Sequence, residues 1–316
     1  MESVKLALVL PCFNEEEVLP SSMHRLTLFY DELVESGAIS PESRLVFVND
    51  GSRDRTWDII EEGFKNNHYI CGVNLAGNVG HQNAILAGMT AAKDIADAVV
   101  TIDADLQDDI HKIPEMLDKY REGCDVVYGV KNERKADSWF KRTTAILFYK
   151  LMKALGVKSV YNHADFRLLS KRAVNEICKY RERNLFLRGI IPLIGYKTDV
   201  IYEDLSEREA GKSKYTLKKM LNLAIDGVTS FSIKPVRLIL LLGLLFILLS
   251  IVILIYVLVC YFQQKTVAGW ASIIMSLWFI GGCILAGLGI IGEYIGKIYL
   301  EVKDRPRYNV EKVILQ

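Results

Sequence analysis

The densest group of chemistry-bearing side chains is the run DADLQDD at Asp103–Asp109. Asp103 and Asp105 stand two residues apart, directly after an apolar, strand-like run, so both carboxylates can turn towards one site. Hard oxygen donors at that spacing suit Mg²⁺ or Mn²⁺, which binds through one or two carboxylates and completes its shell with water and substrate phosphates. Asp108 and Asp109 read as the solvated start of a helix, with Asp109 as an N-cap. Asp50, in VNDGSRDRT, closes another apolar run. It is placed to accept hydrogen bonds from a base or ribose, or to cap the next helix, a task Ser52 can also perform. PCFNEEE at Pro11–Glu17 ends a third run, and LAGNVGHQNA at Leu75–Ala84 makes a Gly-containing strand-to-helix turn. That turn lacks both GxGxxG and the P-loop lysine pattern, which excludes a dinucleotide fingerprint and a P-loop ATPase. His81 within it reads as a loop residue and not a metal ligand, because no second His stands at ligand spacing.

The elements that must position these groups alternate along the chain. Val4–Cys12, Arg44–Asp50, Tyr69–Leu75 and Ala98–Asp103 are short and rich in Val, Ile and Leu, with Asp125–Tyr128 a weaker fifth. Helical stretches are expected at Glu16–Ser36, Thr56–Asn66, Asn83–Lys93 and Ile113–Glu122. Strands alternating with helices of 10–15 residues imply an α/β fold with a parallel, doubly wound sheet. Ligands in such sheets bind at the carboxyl ends of the strands, where Asn14–Glu15, Asp50 and Asp103–Asp105 fall. The first residues lead straight into a strand-like run, unlike a signal peptide.

The 316 residues carry 39 basic and 38 acidic side chains, a net charge of +1. That balance excludes a broad nucleic-acid footprint and a charge-driven disordered tail. Six cysteines lie scattered without a CxxC pair, as buried hydrophobes in a reducing compartment would. Two apolar segments, about 237–262 and 267–292 and uncharged after Arg237, are each long enough to cross a bilayer, and only a short turn around Lys265 separates them. Lys234 and Arg237 precede the pair, and Lys297, Lys303, Arg305 and Arg307 follow it. The positive-inside rule therefore places both termini in the cytoplasm. Small residues in the second segment fit either packing within the hairpin or an oligomer interface. Two amphipathic stretches, 139–155 and 211–234, read as helices lying in the headgroup layer or facing a core. The domain plan is thus a catalytic unit over 1–210, a juxtamembrane helix at 211–234, a two-helix hairpin at 235–296 and a tail at 297–316.

Taken in order, PCFNEEE, VNDGSRDRT, NVGHQNA, DADLQD, NHADFRLLSKR and EREAGKSKY, followed by two apolar segments, resemble family 2 glycosyltransferases of the polyprenyl-phosphate group. The resemblance covers residues 4 to about 305. It implies a GT-A fold, a Rossmann-like, mostly parallel sheet holding a nucleotide-sugar. It also implies an Mg²⁺- or Mn²⁺-dependent transfer, with anomeric inversion, to a membrane polyprenyl phosphate. Pro11, Phe13, Glu15 and Asp50 match positions that hold base and ribose, and Asn78 and Gly80 are assigned to the same donor pocket. Asp103, Asp105 and Gln107 match the metal–diphosphate motif. Asp165 matches a further catalytic carboxylate, as base or as sugar ligand, with Arg167 placed to orient it. The acceptor phosphate calls for cations, for which Lys131, Arg134, Arg208, Lys212 and Lys214 are the candidates; the last three equally fit a generic patch for anionic lipid. His163–Ala164 and Lys131 depart from the usual pattern. UDP-glucose and undecaprenyl phosphate are the expected partners, with GDP-mannose or a catalytically silent scaffold as alternatives. The resemblance further suggests a homotetramer.

Overall fold

The computed structural model describes residues 3–131, 163–183, 185–203 and 269–315, with scattered positions between 236 and 263. The chain divides into two units. One comprises Met1–Thr144, Lys158–Lys214 and Arg305–Gln316; the other comprises Ala145–Val157 and Tyr215–Asp304.

Within residues 3–131, every expected strand and helix forms, with ends shifted by a few residues. The strands are β1 (Leu6–Cys12), β2 (Arg44–Asn49), β3 (Ile70–Leu75), β4 (Ala98–Thr101) and β5 (Val126–Lys131), with helices α1 (Leu19–Glu35), α2 (Thr56–Asn66), α3 (His81–Ala92) and α4 (Ile113–Arg121) between them. A 3-10 turn at Ile110–Lys112 precedes α4, and Asp109 caps it by accepting from the His111 N–H. Three further strands were not expected: β6 (His163–Ser170), β7 (Thr198–Glu203) and β8 (Val310–Ile314). Charged residues interrupt the apolar pattern in each, and so hide it. Helices α5 (Lys171–Lys179) and α6 (Leu187–Ile190) follow β6.

The eight strands form one sheet in the order β7-β5-β6-β4-β1-β2-β3-β8. β1 pairs in parallel with β2 and β4, β2 with β3, and β5 with β7, whereas β6 runs antiparallel to β4 and β5, and β8 antiparallel to β3. The sheet is therefore mixed: four of its seven pairings are parallel, as the mostly parallel expectation has it, and the antiparallel β6 and β8 depart from a purely parallel sheet. Alternate residues of each strand bury on opposite faces. Leu6, Leu8, Leu10, Leu45 and Phe47 join the core under α1, α2 and α4. Ala7, Val9, Val46 and Val48 join the core under α3 and α5.

The last residues, read from the sequence as a tail, carry β8 and close one edge of this sheet. In the second unit, α7 (Trp270–Val302) extends for 33 residues, about 50 Å at 1.5 Å per residue. Its Phe279–Val302 part is long and apolar enough to cross a membrane and is mostly exposed. Tyr294, Ile295, Ile298 and Tyr299 carry the helix past the boundary expected near 292. The segment 237–262 is described only at isolated positions, so one helix of spanning length is described where two were expected. The stretches 139–155 and 211–234 lie outside the described residues.

The turn after β2 depends on Gly51, at φ +63°, where an added Cβ would meet the Asn78 nitrogen at 2.4 Å. Gly51→Ala meets a left-handed backbone and a main-chain clash together. It is expected to cost more than about 2 kcal/mol, read as a lowered unfolding temperature of the purified protein.

Candidate active site

Strand β6 inserts antiparallel beside β4 with Thr101 opposite Arg167. Two residues further along each strand, that register brings Asp165 alongside Asp103 at the carboxyl end of β4. Helix α3 begins next to them and supplies His81, whose Nε2 lies 3.5 Å from Asp103 Oδ1 and 3.3 Å from Asp165 Oδ2. Residues 103, 165 and 81, far apart in sequence, thus share one corner. His81, read from the sequence as a loop residue, is the group between the two carboxylates. The only prior signal was its place at the head of an expected helix on the ligand-binding edge.

Asp165 is almost fully buried and is held by cations. Arg167, with no exposed surface, donates from Nη2 to Asp165 Oδ1 at 2.6 Å. Arg188 of α6 donates from Nη2 to Oδ2 at 3.2 Å, and Gln82 Nε2 lies 3.5 Å from the same oxygen. Thr101 Oγ1 donates to the Asp165 carbonyl. Burial alone would raise the Asp165 pKa, but the His81 hydrogen bond, Arg167 and Arg188 hold it well below the usual carboxylate range. Burial also opposes the His81 imidazolium, yet the hydrogen bond to Asp165 and the charges of Asp103 and Asp165 raise its pKa. Asp103 differs. Burial pushes its carboxyl up to about 6; His81 opposes that shift, while Asp165, Asp108 and Asp105 add to it.

The Asp105–Gln107 segment turns sharply. Leu106 sits at φ +47°, which is uncommon for a residue of its size, and its side chain is buried. Asp105 is exposed and accepts from Gln107 Nε2 at 2.5 Å. Asp108 is 4% exposed, which corrects its reading as a solvated helix start. Among the described residues, no group of three or more His, Cys, Asp or Glu side chains is placed to hold a metal ion. The oxygens of Asp103, Asp105 and Gln107, with surplus negative charge on Asp103, still fit a hard divalent cation that takes its remaining ligands from a diphosphate.

The other strand ends are tied to one another. Asp50 is buried and accepts from the Val79 N–H at 2.7 Å and the Gly80 N–H at 3.1 Å, so its two oxygens fix the turn before α3. Burial raises its pKa against these bonds. Ser52 does not cap α2. Its Oγ accepts from the Asn14 N–H, and Asp54 accepts from the first residue of α2, Thr56. Thr56 Oγ1 in turn accepts from the Glu15 N–H. Pro11 pairs with Val48 in the sheet, Phe13 is exposed, and Glu15 is half-buried at the same edge. Asn78 is exposed beside them. Lys131 ends β5 in register with Glu203. Arg134, Arg208, Lys212 and Lys214 lie outside the described residues. Arg188, which the sequence reading did not single out, is the described cation nearest Asp165 after Arg167.

A family model described as glycosyl transferase family 2 matches residues 7–178. The chain is 53% identical over 306 residues to an uncharacterized glycosyltransferase, YkoT, of Bacillus subtilis, covering 97% of this chain and 91% of that one. It is 38% identical over 312 residues to a prophage-derived bactoprenol glucosyl transferase of Shigella flexneri, covering 98% of each. Among solved structures, glucosyl-3-phosphoglycerate synthase from Mycobacterium tuberculosis aligns at 15% identity with a TM-score of 0.46, over 72% of this chain and 78% of that one.

Removing Arg167 leaves a buried carboxylate short of its strongest partner. Arg167→Met is expected to cost about 3–5 kcal/mol, read as a lowered unfolding temperature. The pH dependence has a definite sign. A depressed folded-state pKa stabilises the wild type above the ordinary carboxylate range of about 4, and that contribution is lost as pH falls through the folded value. The variant should show a smaller loss over the same acid range.

Proposed function

The chain belongs to glycosyl transferase family 2, and on that premise we propose that it moves one hexosyl group from a nucleotide-sugar to the phosphate of a polyprenyl lipid. The specific pair proposed is UDP-glucose and undecaprenyl phosphate. The observation that carries the reading is the meeting of Asp103, Asp165 and His81 at the carboxyl end of β4. The 38% identity to a bactoprenol glucosyl transferase across nearly the whole chain, and the exposed apolar helix α7, support a lipid acceptor. The basic residues flanking the apolar segments support a cytoplasmic position for the catalytic unit. The assembly state does not enter, because every group named here belongs to one chain.

In this reading, the sugar's anomeric carbon loses its bond to the nucleotide diphosphate and gains one to a lipid phosphate oxygen, attacking from the opposite face. No proton has to move. A phosphate monoester has its second pKa near 6 and is mostly ionised at neutral pH, so it needs positioning more than a base. Asp103, Asp105 and Gln107 would hold Mg²⁺ or Mn²⁺, which when bound neutralises charge on the leaving diphosphate. Asp165 is poorly suited to be a base, since Arg167 and Arg188 occupy and depress it. Its role is to fix His81 and Arg188 around the reacting centre. Arg188 and Lys131 then join Arg134, Arg208, Lys212 and Lys214 as the cations that receive the acceptor.

Incubating membranes that carry the protein with labelled UDP-glucose and undecaprenyl phosphate is expected to give a labelled lipid, and Asp105→Ala to abolish it. Label from GDP-mannose alone would move the reading to mannosyl transfer, and donor binding without turnover would favour a silent scaffold. Metal affinity gives a separate check. A cation must compete with the proton on Asp103, whose pKa is pushed up to about 6. With UDP present, Mg²⁺ or Mn²⁺ affinity should therefore fall roughly tenfold per pH unit below that value, as titration calorimetry would read it.

A further inference from the structure

We infer that Glu311, in the final strand of the chain, is a positioning residue for the donor nucleotide; this rests on the donor-side reading above. Strand β8 pairs with β3 through Asn74–Lys312 and Leu75–Val310, and the register slips between these pairs. The slip leaves Glu311 as the extra residue of a bulge, a device that re-aims a side chain. Its Oε2 accepts from Asn74 Nδ2 at 2.9 Å. Asn74 Oδ1 accepts from Asn49 Nδ2 at 2.7 Å. Asn49 Oδ1 accepts from the Ser52 N–H at 3.3 Å, and Ser52 Oγ accepts from the Asn14 N–H at 3.0 Å. Asn14 closes the chain of contacts by accepting from the Arg53 N–H at 2.9 Å.

Asn49 and Asn74 are buried, at 3% and 9% exposure. A buried amide whose partner fixes one end has its other end aimed as well, because an unpaired polar group there is costly. With both Asn74 groups engaged, Asn49 is left with its oxygen facing the Ser52 N–H. The result is one orientation for residues 49–53, which include Asp50, and for the Asn14 backbone at φ +54° between Phe13 and Glu15. A residue more than two hundred positions downstream thereby sets the shape of the nucleotide edge without touching it.

The test uses the full-length protein in detergent. Three variants are compared with wild type by amide hydrogen exchange, by UDP and GDP binding, and by steady-state kinetics with the donor. Glu311→Ala should raise exchange across residues 13–16 and 49–56. It should also weaken binding of the preferred nucleotide by about three- to tenfold, as expected for one lost hydrogen bond, raising KM for the donor with kcat unchanged. Glu311→Gln keeps an acceptor oxygen and should restore both. Lys312→Ala breaks the neighbouring tie from β8 to Glu61 and should leave nucleotide affinity at the wild-type value. Unchanged exchange in Glu311→Ala, or an equal loss of affinity in Lys312→Ala, overturns the inference. Changed exchange with unchanged affinity overturns the role in binding. Wild-type protein that binds neither UDP nor GDP would instead overturn the donor reading itself, while the exchange data still report whether the contacts are coupled.

Discussion

A carboxylate taken out of water must find cations or lose its charge, and Asp165 meets that constraint with Arg167 behind it and Arg188 and His81 in front. Arg167 is itself without exposed surface, so each of the pair requires the other. Their shared strand, β6, enters between β4 and β5 against the direction of β4. That insertion sets Asp165 beside Asp103 and makes one electrostatic corner from two distant motifs. The corner then divides the work. Asp165 is kept ionised by cations, while Asp103, facing other carboxylates, holds a charge that a divalent ion would relieve.

The rest of the first unit keeps that corner in register with the other strand ends. Asp50 uses both oxygens on the backbone ahead of α3, so the turn that leads into His81 is fixed from β2. Gly51 lets the β2 turn lie against Gly77 and Asn78, where any side chain would collide. Ser52, Asp54 and Thr56 bind the loop after β1 to the loop after β2. Preorganisation of this kind is what a transfer between two anions needs, since there is little for the protein to do beyond placement and charge stabilisation.

Some of this was legible in the residues. The carboxylates at strand ends were, because a strand that ends in Asp or Asn at a sheet's carboxyl edge stands out from a run of Val, Ile and Leu. The pairing of Asp165 with Arg167 was expected only from the motif NHADFRLLSKR; the strand that puts both on one face was not. Arg188 was not, because it lies on a four-residue helix with no periodicity to announce it. Asp50 was read as open to a ligand, and its use on the Val79 and Gly80 amides shows only once the two turns are side by side. Asp108 was read as solvated because an acidic cluster usually is; it is buried here.

The amino-acid sequence by itself determined the alternation of strands and helices, the acidic strand ends and the apolar C-terminal segment, because each is written in local periodicity and composition. Tertiary structure alone decided the order of the strands, the antiparallel entry of β6 and the return of the chain's end as β8. Strand pairing depends on hydrogen bonds between backbones that carry no residue signature, and the antiparallel partner of a strand can lie at any distance along the chain. His81 and Glu311 acquire their roles from that pairing, which is why neither could be recognised from its neighbours in sequence.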